Sequence, residues 1–169
     1  MRFLTHCPAH IDITEFSTTL TGDETLSVVF HLRDVPETLE FFRKIVPKDA
    51  LEYKWEVEID VDNDPETGSR GADYSLGASH FAFSSSSGEG VHLHLDEAVQ
   101  TNSWQLDEGV GTFFSQVSME VSPEEDTITF VGDIPGITSQ SRLVFEAYDY
   151  LNGSDRVTCQ VLPAAGDTE

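Results

Sequence analysis

Basic residues are scarce in this chain. Nine lysines and arginines stand against 31 aspartates and glutamates, a formal net charge of −22. Lys44, Lys48 and Lys54 are the only lysines. Nucleic acid and anionic membrane surfaces both need a positive footprint on the protein, so neither is an expected partner. No apolar run is long enough to span a bilayer, and membrane insertion is not expected either. Catalytic signatures are missing: there is no Gly-x-Ser-x-Gly elbow, no phosphate loop and no His-Glu-x-x-His. Among so many acids no single pair stands out for glycoside hydrolysis, so the chain does not read as an enzyme. Met1 to Cys7 lacks the apolar middle region of a signal peptide. Cysteine is limited to Cys7 and Cys159, near opposite ends. The first and last strands of a sandwich often neighbour each other, so a disulfide stands beside two free thiols as a reading, and a secreted setting favours the bond. Of the two methionines, Met119 shares parity with Val117 and Val121 and reads as core filling, not as a haem ligand.

What is present is a series of short alternating segments separated by turn residues. With 169 residues the chain has the length of one domain and buries a sizeable core without staples. Ile11 to Leu20 and Thr25 to Leu32 predict a hairpin turning at Thr21-Gly22-Asp23-Glu24. Residues 36–50 break the pattern. Leu39, Phe42 and Ile45 fall at helical spacing between Pro36 and Pro47, with acids first and bases last, which predicts a short helix. Further strands are predicted from 53 to 61, 74 to 83, 91 to 95, 104 to 106, 113 to 121, 127 to 132, 142 to 150 and 157 to 162. Many short strands with frequent turns mean an all-β fold, an antiparallel β-sandwich of jelly-roll or immunoglobulin-like type, here with a short helical insertion. Residues 1–10 read as a poorly ordered leader, 11–162 as the sandwich and 163–169 as a flexible tail.

The most informative segment is Trp55-Glu56-Val57-Glu58-Ile59-Asp60-Val61-Asp62-Asn63-Asp64-Pro65-Glu66-Thr67-Gly68, followed by Gly71-Ala72-Asp73-Tyr74. Tyr53, Trp55, Val57, Ile59 and Val61 alternate with charged residues, so apolar and charged sets take opposite faces. Asp60 and Asp62 then point the same way, roughly 6.5–7 Å apart at Cα. Clustered carboxylates repel unless a positive charge sits among them, and a hard cation that takes six to eight oxygens, calcium above all, meets that need. The Asp-x-Asp-x-Asp spacing matches only the first half of an EF-hand. Pro65 stands where that loop needs glycine and Gly71 where it needs a bidentate glutamate. A solvated acidic turn is the competing reading, because Asp, Asn, Pro and Gly favour turns for backbone reasons alone.

The run Ile-Asp-x-Asp-Asn-Asp-x-x-Thr-Gly and the following Gly-Ala-Asp-Tyr resemble a signature of extracellular bacterial and archaeal β-sandwich modules. These are related to the DOMON superfamily and to the ninth family of carbohydrate-binding modules. The resemblance covers residues 12 to 162. It includes a closing strand, Val144 to Tyr150, that ends in an acidic turn at Asn152-Gly153-Ser154-Asp155. It implies a metal-bound turn with Asp60, Asp62, Asp64 and Asp73 as ligands. Asn63, or carbonyls near Thr67 and Gly71, would complete the shell. The expected function is a non-catalytic, calcium-binding accessory module, extracellular or at the cell surface, whose partner is a polysaccharide or a cell-surface protein.

Two other constellations compete. His92-Leu93-His94-Leu95-Asp96 puts His92 and His94 on one strand face, an arrangement zinc or copper uses when a third ligand is near. A solvent-facing polar strand explains the same pattern. Trp104, Tyr148 and Tyr150 are candidate ligand-binding aromatics for a sugar, against the alternative of half-buried rim aromatics.

Overall fold

The computed structural model describes residues 8–22, 24–37, 39, 50–69, 71–81, 92–97 and 117–159. Among the described residues a single 3-10 turn, Ala9–Ile11, precedes nine strands: β1 (Ile13–Thr21), β2 (Thr25–Leu32), β3 (Leu51–Asp60), β4 (Tyr74–Phe81), β5 (His92–Glu97), β6 (Val117–Ser122), β7 (Thr127–Asp133), β8 (Arg142–Asp149) and β9 (Gly153–Cys159). They form a four-stranded sheet of order β1-β2-β7-β6 and a five-stranded sheet of order β5-β4-β3-β8-β9. Every pairing is antiparallel. The fold is the expected all-β sandwich.

The sequence alternation becomes the core. Leu26, Val28 and Phe30 of β2 face Tyr53, Trp55, Val57 and Ile59 of β3 and Leu143, Phe145 and Ala147 of β8 across the interior, all fully buried. Each large apolar side chain so buried contributes about 1.5–3 kcal/mol. Phe30 from one sheet and Phe145 from the other meet edge-on at 4.9 Å, and Phe16 closes on Phe145 at 4.5 Å. These ring pairs join the layers. Val117, Met119 and Val121 pack together against this core, where parity puts them.

Packing begins before the first predicted strand. Ile11 is fully buried, His10 pairs with Asp149 at 2.9 Å, and the Trp55 indole donates to the His10 carbonyl at 2.8 Å. Residues 8–12 therefore close one end of the sandwich, and the strand starts at Ile13, not at Ile11. The acidic turn expected at 152–155 is a correction of a different kind. The chain reverses at 150–152, and Gly153 to Asp155 already belong to β9. The buried Asp149 carboxylate sets the early turn by accepting from the Leu151 N–H and the Asn152 amide, both at 2.9 Å. Asp155 is thereby free to take the Ile13 N–H at 2.9 Å. Of the helix predicted between Pro36 and Pro47, residues 38 and 40–47 lie outside the described residues, as do Cys7 and the tail beyond 159; Leu39 is described and is buried in the core.

Candidate metal site

β3 delivers its last residue, Asp60, to the mouth of the loop that joins it to β4. Because Asp60 has the parity of Glu56 and Glu58, its side chain leaves the core, yet it is only 3% exposed. The loop folded over it causes this burial. Asp73 clamps the loop shut: its N–H donates to the Ile59 carbonyl at 2.8 Å, and its Oδ2 accepts the Val61 N–H at 2.8 Å. Within the loop each aspartate holds the backbone two residues on. Asp62 Oδ1 accepts the Asp64 N–H and Asp64 Oδ1 accepts the Glu66 N–H, both at 2.9 Å. The Thr67 hydroxyl lies 3.1 Å from Asp62 Oδ1 and 2.9 Å from the Asp64 carbonyl. Gly68 and Gly71 are required by the backbone. At Gly68, with φ of +57°, a Cβ would stand 1.8 Å from the Ala72 carbonyl oxygen; at Gly71, with φ of +81°, it would stand 3.0 Å from an Arg142 nitrogen.

These clamps bring Asp60, Asp62 and Asp73 together, with one carboxylate oxygen from each within 4.8 Å of the others. A calcium ion about 2.4 Å from every ligand spans oxygens at most about 4.8 Å apart, so the spacing fits one ion. Asp64 does not join this group; its carboxylate serves the Glu66 N–H instead. Asn63 takes left-handed backbone at φ 57°, and its amide nitrogen donates to the Gln140 carbonyl. Ser141 adds a bond to the Val61 carbonyl at 3.2 Å, so the segment before β8 holds the loop from the side.

Sequence reasoning missed Arg142. It stands opposite Asp60 in the β3–β8 register, and its Nη2 lies 2.9 Å from Asp60 Oδ2. The pair is half made. Asp60 Oδ1 and Arg142 Nε are both buried, and neither has a hydrogen-bond partner among the described residues. A bidentate fork would have satisfied both. A cleft of about 230 Å³ opens beside the pair, lined by Glu58, Val144 and Arg156 as well as by Asp60 and Arg142.

A second acidic group, Glu56, Glu58 and Glu146, lies on the same outer face. It is compensated by cations. Lys54 Nζ reaches Glu56 at 2.7 Å and Glu146 at 3.0 Å, and Arg156 holds Glu58. Burial pulls the Lys54 ammonium down, but Glu56 and Glu146 together push it above its ordinary range. Burial pushes the Glu58 carboxyl up, with Arg156 only partly opposing it. This is an ion-pair network in which two cations offset most of the charge of three carboxylates, leaving one negative charge.

Of the remaining candidates, those described lie away from the loop. In register His94 lies beside Gly77 and His92 beside Ser79 on β4, and their side chains are outside the described part of the structure. Tyr148 and Tyr150 sit at the far end of β8, roughly 20–27 Å along the strand from Arg142. Tyr150 is 42% exposed, and burial pushes the Tyr148 hydroxyl up. Trp104 lies outside the described residues, and Cys159 ends β9 opposite Leu143. No helix among the described residues is long and apolar enough to cross a membrane. No family model, curated protein or solved structure matches the chain.

Proposed function

We propose that this protein is a non-catalytic calcium-binding β-sandwich module in which the β3–β4 loop holds one ion through Asp60, Asp62 and Asp73. The observation that carries the reading is the second oxygen of Asp60. A buried carboxylate oxygen with no donor is costly, and buried charges are normally paired or bound to metal. An ion coordinated at about 2.4 Å would satisfy this oxygen and neutralise the carboxylates beside it. Charge agrees: among the described residues three carboxylates and one guanidinium leave two negative charges, matching a divalent ion. Calcium is favoured over magnesium because the ligands sit on an irregular loop with Asp62 exposed, whereas magnesium demands near-ideal octahedral geometry and dehydrates reluctantly. The role is structural. The ion fastens the loop to the strand ends, with affinity on the order of 0.1–1 mM, the range of extracellular modules, which suits an accessory domain outside the cell.

The test is a thermal melt of EDTA-treated protein, titrated with calcium and separately with magnesium at matched ionic strength. A calcium-specific rise in Tm supports the reading. No rise, or an equal rise with both ions, refutes it.

A further inference from the structure

The Asp60–Arg142 pair has an odd economy. Arginine and carboxylate normally interlock through two parallel bonds. Here one bond forms at 2.9 Å, while the partners of the second, Asp60 Oδ1 and Arg142 Nε, are both buried and bare. The register of β3 and β8 places the two residues side by side, so distance does not explain the missing bond. The carboxylate is turned so that one oxygen serves the guanidinium and the other is withheld from it. Asp62 and Asp73 supply the other carboxylate oxygens of the group.

Resting on the calcium reading above, we propose that Arg142 is the built-in competitor of the bound cation. In the ion-free protein its guanidinium occupies part of the charge position a cation would take. It keeps three clustered carboxylates folded together and weakens cation binding in doing so. Three features support this role. Among the described residues Arg142 is the cation paired with the carboxylate group, and its side chain is 37% exposed, so it is not locked in the interior. The adjoining cleft of about 230 Å³ gives the guanidinium space to withdraw into when an ion takes Asp60. Gly71 comes so close to Arg142 Nη2 that a Cβ would stand 3.0 Å from it, so the loop that carries the ligands is shaped around the guanidinium. Movement of one is then felt by the other. The half-made pair is what a displaceable counter-charge requires, because a fully bidentate buried pair would resist exchange.

The experiment is calcium binding by isothermal titration calorimetry at low ionic strength for the unsubstituted protein, Arg142→Gln and Arg142→Lys. A unit charge about 6 Å from a divalent ion, screened as in water, changes affinity about tenfold. Arg142→Gln is therefore expected to bind calcium about tenfold more tightly while melting lower in EDTA. Arg142→Lys, which keeps the charge, should lie between. Equal or weaker binding by Arg142→Gln overturns the role of Arg142 and leaves the calcium site standing. No binding by the unsubstituted protein overturns the site itself. A second readout needs no glutamine variant: the arginine Nε–H signals of 15N-labelled protein, with that of Arg142 assigned by its loss in Arg142→Lys. A calcium-dependent shift of that signal is expected, and an unmoved signal at saturating calcium overturns the proposal.

Discussion

Replacing Asp60 by asparagine separates a metal ligand from a structural anion, because only a ligand's loss makes the effect depend on calcium. Asparagine has the same shape and keeps one oxygen. In EDTA the substitution loses the ionic part of the bond to Arg142. A charged hydrogen bond is worth about 1.5–3 kcal/mol, and the 37% exposure of Arg142 reduces that to about 1 kcal/mol. The substitution also removes repulsion. Two carboxylates with oxygens within 4.8 Å repel by about 1 kcal/mol at the water-like end of the dielectric range. Asp60 faces two such neighbours, so the terms nearly cancel, and Tm in EDTA should move by no more than about 3 °C. Calcium changes the comparison. At 10 mM calcium and a Kd on the order of 0.1–1 mM, the unsubstituted protein gains about 1.4–2.7 kcal/mol. At about 2–4 °C per kcal/mol for a chain of this length, that is a rise of about 3–11 °C. Asp60→Asn should show little of it. Paired calorimetric melts of both proteins, with EDTA and with calcium, provide the assay. A variant that falls equally in both conditions, or gains as much from calcium, refutes a ligand role for Asp60.

Two further outcomes follow from the loop and the outer face. Gly68→Ala forces a Cβ onto the Ala72 carbonyl oxygen at positive φ, and it should lower stability by at least about 2 kcal/mol in urea unfolding with or without calcium; an unchanged midpoint would mean the loop is not closed as described. Because burial raises the folded-state pKa of Glu58, its favourable contribution is complete below the ordinary carboxyl value of 4.5 and is lost as pH rises through the higher folded value. Glu58→Gln should therefore gain stability relative to the unsubstituted protein as pH rises from about 4 to 7, read as the difference in Tm across that range. A difference that is flat or falls with pH would show that Arg156 outweighs burial.

The parts of this molecule written in short-range pattern were legible in its sequence, and the parts that depend on strand pairing were not. Alternation from Tyr53 to Ile59 marked the interior face of β3, and the same rule placed Leu26, Val28 and Phe30 in the core. The Asp-Asn-Pro-Gly chemistry marked residues 61–73 as a loop on a strand end. Asp64 falls outside the group although it shares the spacing of Asp60 and Asp62, because spacing along the chain does not show that the backbone turns left-handed at Asn63, between Asp62 and Asp64. The early turn at 150–152 escaped notice because Asp149 acts from inside the fold, held by His10 from the far end of the chain. Arg142 was invisible as a partner for the same reason. It is 82 positions from Asp60, and only the β3–β8 register brings them together. Its one local signal was scarcity: in a chain with nine bases, an arginine opening an apolar strand is one of few available counter-charges.

The acids that this fold buries differ in how completely they are satisfied, and the difference falls where the carboxylates converge. Asp149 is fully buried, and both its oxygens are used, one by His10 and the other by the Leu151 N–H and the Asn152 amide. Glu52, 2% exposed, lies 3.2 Å from His80 Nδ1 as an ion pair without a hydrogen bond, and His80 stacks on Tyr53 at 4.8 Å. Asp60 is buried to almost the same degree, is paired with a guanidinium, and still leaves an oxygen bare. A fold able to satisfy Asp149 with neutral donors from its own turn is not short of donors for buried acids. The open oxygen is therefore better explained by what stands around it than by a deficiency of the fold. Around it are two more carboxylates and a loop cinched by Asp73, an arrangement whose repulsion Arg142, bonded through one oxygen alone, offsets only in part.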